Sequence, residues 1–198
     1  MHSLFRKWRQ FFSSPGSNPY PLHSTGGRIS LQPFQSHNVK LVEDWLNDRK
    51  TCELAFGVKA PWEVLSTIRS EYIEELQRDT IGVLSIVSNK TPIGFVRYKL
   101  FHKSKRKLAR VGIVLGPASA RGQGLGREAF QTLVDYLFQH RQVTQIELDT
   151  ATFNKKAQAC FEACGFRPIR EVEFNSINAQ WTEKRLLMQI SREEWEAG

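Results

Sequence analysis

Between positions 111 and 130 the chain reads VGIVLGPASARGQGLGREAF. A β-branched run gives way to a loop, glycines follow at 122, 124 and 126, and apolar residues then recur four apart at Leu125, Ala129, Leu133 and Leu137. Strand, glycine-rich loop and helix in immediate succession limit the fold more than any bulk property does. The first amides of the helix have no partner within it, and the glycines remove side chains from in front of them. Unpaired amides and the helix dipole together favour phosphate oxygens there. TQIELDT (144–150) then reads as a strand, which closes a β-α-β unit. NKKAQACFEAC predicts a further helix, with Asn154 as its N-cap and Gly165 as a left-handed residue at its end.

The flanking sequence fills in the rest. RISLQPF alternates like a strand, and SHNVKLVEDWLNDRK predicts a helix capped by Ser36, with Val39, Val42, Trp45 and Leu46 on one face. TCELAFGVKA reads as a loop. A second helix opens after Pro61 and carries Leu65, Ile68, Tyr72 and Leu76. TIGVLSIVS, PIGFVRYKLF and KLARVGIVLG are strand-like runs with turn-prone links too short for anything but antiparallel pairing. FRPIREVEF and TEKRLLMQIS supply two last strands.

Composition bounds the class. At 198 residues with 40% hydrophobic side chains, the chain suits one domain, residues 27–198, behind an N-terminal extension, residues 1–26. The extension belongs to a stretch without Asp or Glu that runs to Val42. Its LFRKWRQFF segment gives residues 1–12 an apolar and a cationic side, suited to a membrane surface, a partner or an organelle-targeting role. Three cysteines without C-x-x-C spacing imply neither a disulfide framework nor a zinc site, and point to a reducing, cytoplasmic setting. The net charge of +8 favours anionic partners. The basic HKSKRKLAR run lacks interleaved aromatics and reads as a solvated hairpin, so no specific nucleic acid is expected.

Three phosphate-binding patterns compete for the glycine loop. A mononucleotide P-loop needs Lys-Ser or Lys-Thr after the glycines, and neither is present. Gly124, Gly126 and Ala129 spell G-x-G-x-x-A, with Glu147 and Asp149 about 20 residues on, as in dinucleotide-binding folds. There, however, the first glycine follows the strand almost directly, whereas here GPASARGQ intervenes. The third pattern is Q/R-x-x-G-x-G/A, met by RGQGLG. With the downstream NKKAQACFEACGF, it makes residues 27–190 resemble the GNAT superfamily of acyl-CoA N-acyltransferases. WLNDR and RLLMQISREEW are similar to the branch of ribosomal-protein N-terminal, aminoglycoside 6'- and amino-sugar acetyltransferases.

The resemblance implies an α/β (α+β) fold: a mixed, mostly antiparallel sheet of six to seven strands with about four flanking helices and a parallel pair that splays apart. It implies acetyl-CoA as acyl donor and an amine as acceptor, and leaves a homodimer open as the assembly. Main-chain groups of Val114 and Leu115 would pair with the pantetheine arm, and an amide near Leu115 would hold the oxyanion. Arg121, Gly122, Gln123, Gly124, Leu125 and Gly126 would cradle the pyrophosphate, Arg127 would add charge, and Asn154 would touch the arm. Phe161 stands where many members place a tyrosine that protonates the departing sulfur. Asp149, then Glu147, are the candidates for the base.

For the acceptor, Asp48 and Glu53 could attract a cation, and Phe56, Trp62 and Trp181 could wall a pocket. Cys160 and Cys164 share the apolar face of their helix and read as core. Two other classes stay open at this point: a scaffold that keeps the CoA fold without turnover, and a dinucleotide-binding protein.

Overall fold

The structure, a computed structural model, describes residues 20–77, 81–176 and 181–198. The amphipathic segment at residues 1–12 lies outside them. Among the described residues, eight strands form one sheet in the order β1-β2-β3-β4-β5-β6-β8-β7, one strand more than expected. They are β1 (Leu22–His23), β2 (Ser30–Pro33), β3 (Gly82–Ser88), β4 (Thr91–Lys103), β5 (Arg106–Leu115), β6 (Gln145–Ala151), β7 (Arg167–Ser176) and β8 (Trp181–Ser191). The added strand, β1, pairs antiparallel with β2, so the sheet begins inside the segment assigned to the extension.

Six helices occur among the described residues: α1 (His37–Leu46), α2 (Arg49–Phe56), α3 (Trp62–Leu76), α4 (Leu125–Arg141), α5 (Lys155–Glu162) and α6 (Arg192–Ala197). Two were not foreseen. TCELAFGVKA, expected as a loop, is mostly α2, because Asp48 caps it by accepting from the Thr51 amide and Gly57 ends it in the left-handed region at φ 64°. α6 opens on a capping box between Ser191 and Glu194. Ser36, expected to cap α1, makes no capping bond there. The buried Asn38 instead accepts from the Gln35 amide.

Each face of the sheet carries its own core. Val42, Leu46, Phe56, Leu65 and Ile68 of α1–α3 pack with Val83, Phe95 and Val114 on one face. Ala129, Phe130, Leu133 and Leu137 of α4, with Phe161 of α5, pack with Val96, Ala109, Ile146 and Leu148 on the other. The strand alternation Phe95/Val96 sends neighbours to opposite sides, as the pleat requires. Cys52 and Cys164 are buried and Cys160 partly so, in keeping with a packing role. No helix among the described residues is long and apolar enough to cross a membrane.

All pairings are antiparallel except β5 with β6. That parallel contact covers Leu108↔Gln145, Ala109↔Ile146 and Arg110↔Glu147 and then stops. Both strands continue, to Leu115 and Ala151, so a V-shaped gap opens towards their C-terminal ends.

Candidate active site

The loop between β5 and α4 holds the first half of the site. Gly122 and Gly124 sit at φ 75° and 79°, a region that L side chains rarely adopt, and a Cβ on Gly122 would meet open space. Gly126 lies in the first turn of α4, where a Cβ would approach Leu115 Cδ1 to 3.2 Å, so the helix start packs tightly against β5. Among the described residues, the amides from Gly122 to Arg127 donate no hydrogen bond, whereas Arg121's amide is used by Ala118. Six consecutive donors at the start of α4 are therefore left without a protein acceptor, the condition that phosphate binding at a helix N-terminus needs.

The loop's side chains mostly hold the loop itself. Arg121 turns inward, donating to the carbonyls of Gly116 (2.7 Å) and Leu115 (3.2 Å) and to the Thr51 hydroxyl (2.5 Å). Gln123 donates to Ser119, and its own carbonyl accepts from Arg28 at 2.9 Å. Arg28 also pairs with Glu128, which ties β2's leading turn to α4. Arg127 reaches the Ala163 carbonyl at 3.0 Å, beside the end of α5. Leu125 is buried against the core.

The gap supplies the second half. Gly116's amide donates to Ile93 of β4, and Val114 stands opposite Phe95. Main-chain groups alternate along a strand, so those of Val114 face β4 while those of Ile113 and Leu115 face the gap. Of the two positions expected to meet a pantetheine arm, the main chain of Leu115 faces the gap, as does that of Ile113, while that of Val114 faces β4. Across the gap, Asn154 caps α5 by accepting from the Ala157 amide at 3.2 Å. Phe161 is 6% exposed and packs on Phe130 at 4.8 Å between ring centres.

A cleft of about 350 Å³ opens at the splay, bounded by β5 from Arg110 to Ile113, β6 from Leu148 to Ala151, and residues of α2, α3 and α5 including Asn154 and Phe161. Asp149 lines it; Glu147 does not. Both carboxylates face Arg110, at 3.5 Å for Asp149 and 4.0 Å for Glu147. Asp149 also accepts from Arg185 at 2.6 Å. Arg185 reaches the Phe56 carbonyl as well, and its guanidinium lies 3.9 Å over the Phe174 ring.

Of the acceptor-side residues singled out in sequence, Phe56 does line the cleft, whereas the two acids are used otherwise. Asp48 caps α2, and hydrogen bonds from the Thr51 hydroxyl and amide hold its carboxyl below the usual range. Glu53 pairs with Arg49 at 3.1 Å. Phe56 is a core residue against Tyr72. The side chains that do line this part of the cleft, Tyr72, Glu75, Arg97, Lys99, Arg110 and Arg185, were not anticipated. Tyr72 is partly buried, and that burial pushes its hydroxyl upward. The polar alternation Arg97, Lys99 in an otherwise apolar β4 was the available signal.

A splayed parallel pair beside a glycine-rich helix mouth defines a class, and comparison with known proteins agrees. Residues 28–167 match the model of the acetyltransferase (GNAT) domain, and the chain belongs to that family. It is thus an acetyltransferase, with acetyl-CoA as donor. It is 24% identical over 148 residues to the aminoglycoside N(6')-acetyltransferase type 1 of Klebsiella pneumoniae, covering 70% of this chain and 73% of that protein. Among solved structures, spermidine N-acetyltransferase from Vibrio cholerae in complex with CoA and spermine aligns with a TM-score of 0.66 and 21% identity, over 85% of this chain and 98% of that one. Aminoglycoside acetyltransferase AAC(6')-Ib in complex with coenzyme A and kanamycin aligns with a TM-score of 0.66 and 20% identity, over the same shares.

Proposed function

We propose that the protein transfers acetyl from acetyl-CoA directly to a primary amine of a small molecule or a peptide N-terminus. The observation that carries the reading is the V-shaped gap between β5 and β6 with six unused amides, Gly122 to Arg127, at its open end. The residues present fit the donor. The amides take the diphosphate oxygens, the gap-facing groups of Ile113 and Leu115 pair with the amide-bearing arm, and Asn154 meets it from α5.

At the closed end, a gap-facing amide of β5 holds the thioester oxygen as negative charge builds on it. The amine nitrogen attacks the carbonyl carbon, the carbon–sulfur bond breaks, and the electron pair leaves with sulfur. The proton given up by nitrogen passes to Asp149, the carboxylate in the cleft wall. Phe161 has no proton to donate, so it serves as an apolar wall. An alkyl thiol with a pKa of about 8.5 leaves as its anion near neutral pH without an acid. The three free cysteines fit a reducing, cytoplasmic setting.

The test is free-thiol release from acetyl-CoA across amino acids, peptides, amino sugars, aminoglycosides and polyamines, beside calorimetric CoA binding. Turnover with at least one amine is expected. CoA binding without release on any acceptor would turn the reading into that of a scaffold.

A further inference from the structure

The cleft wall facing α2 and α3 carries four cations, Arg97, Lys99, Arg110 and Arg185, against two carboxylates, Glu75 and Asp149. Most of these charges are already matched. Arg97 meets Glu75 at 2.7 Å and lies 4.7 Å over the Tyr72 ring, while Arg185 meets Asp149 at 2.6 Å. Gly112 stands opposite Arg97, and a Cβ there would come within 3.2 Å of the Arg97 Nε, so the missing side chain gives this guanidinium its place.

The other two cations are held loosely or not at all. Lys99 is the direct cross-strand partner of Arg110, and like charges directly opposite on one sheet face destabilise it. Arg110 has only long contacts, 3.5 Å to an Asp149 already held by Arg185 and 4.0 Å to Glu147, which lies outside the cleft lining. The Lys99 side chain makes no hydrogen bond or ion pair among the described residues. Arg110 is also the last β5 residue paired with β6, which places this excess of positive charge at the closed end of the gap, where the acyl group would arrive.

We propose that the acceptor is a zwitterion: a primary amine with a carboxylate a few bonds from the nitrogen, as in an amino acid or short peptide. The carboxylate sits between Lys99 and Arg110, and the amine lies towards Asp149. A polycation such as spermine or kanamycin meets a wall of its own sign. This inference rests on the transfer reading above.

The test pairs an amino acid with its carboxamide, and both with spermine and kanamycin. Binding to the CoA-loaded protein is measured by calorimetry and turnover by thiol release. The carboxylate form is expected to bind and react about tenfold or more better than its carboxamide, the scale of one hydrogen bond to a charged group. Lys99→Gln and Arg110→Gln should bring that ratio towards one, and Arg110→Lys should retain it, which separates lost charge from a misfolded variant. A preference for spermine or kanamycin, or a ratio indifferent to Lys99→Gln and Arg110→Gln, overturns the proposal. Carboxylate-selective binding with no thiol release from any acceptor upholds the pocket and sinks the transferase reading instead.

Discussion

The two ends of the cleft are built on opposite plans. At the open end, seven consecutive residues from Arg121 to Arg127 set the geometry, and what they present is bare backbone with six amides unengaged. At the closed end, six charged side chains converge from α3, β4, β5, β6 and β8, and most of them already hold one another. One end is shaped by local conformation and waits for an anion. The other is held by long-range pairing, so a change there acts on the fold as well as on the ligand.

That contrast can be broken most sharply at the loop. Valines at Gly122 and Gly124 force β-branched residues into the left-handed region, at about 1–2 kcal/mol each, and crowd the amides. CoA affinity of the folded protein measured by calorimetry should fall by about a hundredfold, while the strained backbone lowers the melting temperature of the apo protein by about 4–10 °C. An unchanged affinity would remove the phosphate role of the loop. At the closed end the balance should reverse. Arg185→Met leaves Asp149 with only the distant Arg110 and frees the Phe56 carbonyl. Loss of a partly buried pair of this kind should cost about 2–3 kcal/mol in urea unfolding.

Asp48 tests the seam between the two ends, because the Thr51 it holds also receives Arg121. Asp48→Ala should cost about 1 kcal/mol, the worth of an N-cap. The carboxyl's pKa is lowered on folding, so its contribution is complete at neutral pH and fades as pH falls below about 4, through the lowered value. Stability curves of wild type and Asp48→Ala should therefore converge in acid. The smallest effect belongs to Phe161→Tyr. It adds a proton donor beside the gap, and kcat should rise severalfold below the thiol pKa and stay level above it.

Legibility in sequence follows the same divide. The β-α-β unit, the caps at Asn154 and Gly165 and the three-strand meander could be read because each is written in neighbouring residues. α2 was missed since its signals, Asp48 before it and Gly57 after it, bracket only eight residues, about two turns, too short for the period to stand out. The closed end was largely invisible. Arg97, Arg110 and Arg185 lie far apart in the chain, and nothing local says that one sheet face will gather them. Glu53, which looked suited to a cationic substrate, instead neutralises the cations of its own helix.

The three-residue contact between β5 and β6 joins five strands on one side to three on the other. A bound pantetheine arm would act as a ninth, borrowed strand that finishes this weak seam. The donor would then work as mortar as well as reagent. Saturating coenzyme A should raise the melting temperature in a concentration-dependent way, and slow hydrogen exchange at the Ile113 and Leu115 amides more than anywhere else in the sheet.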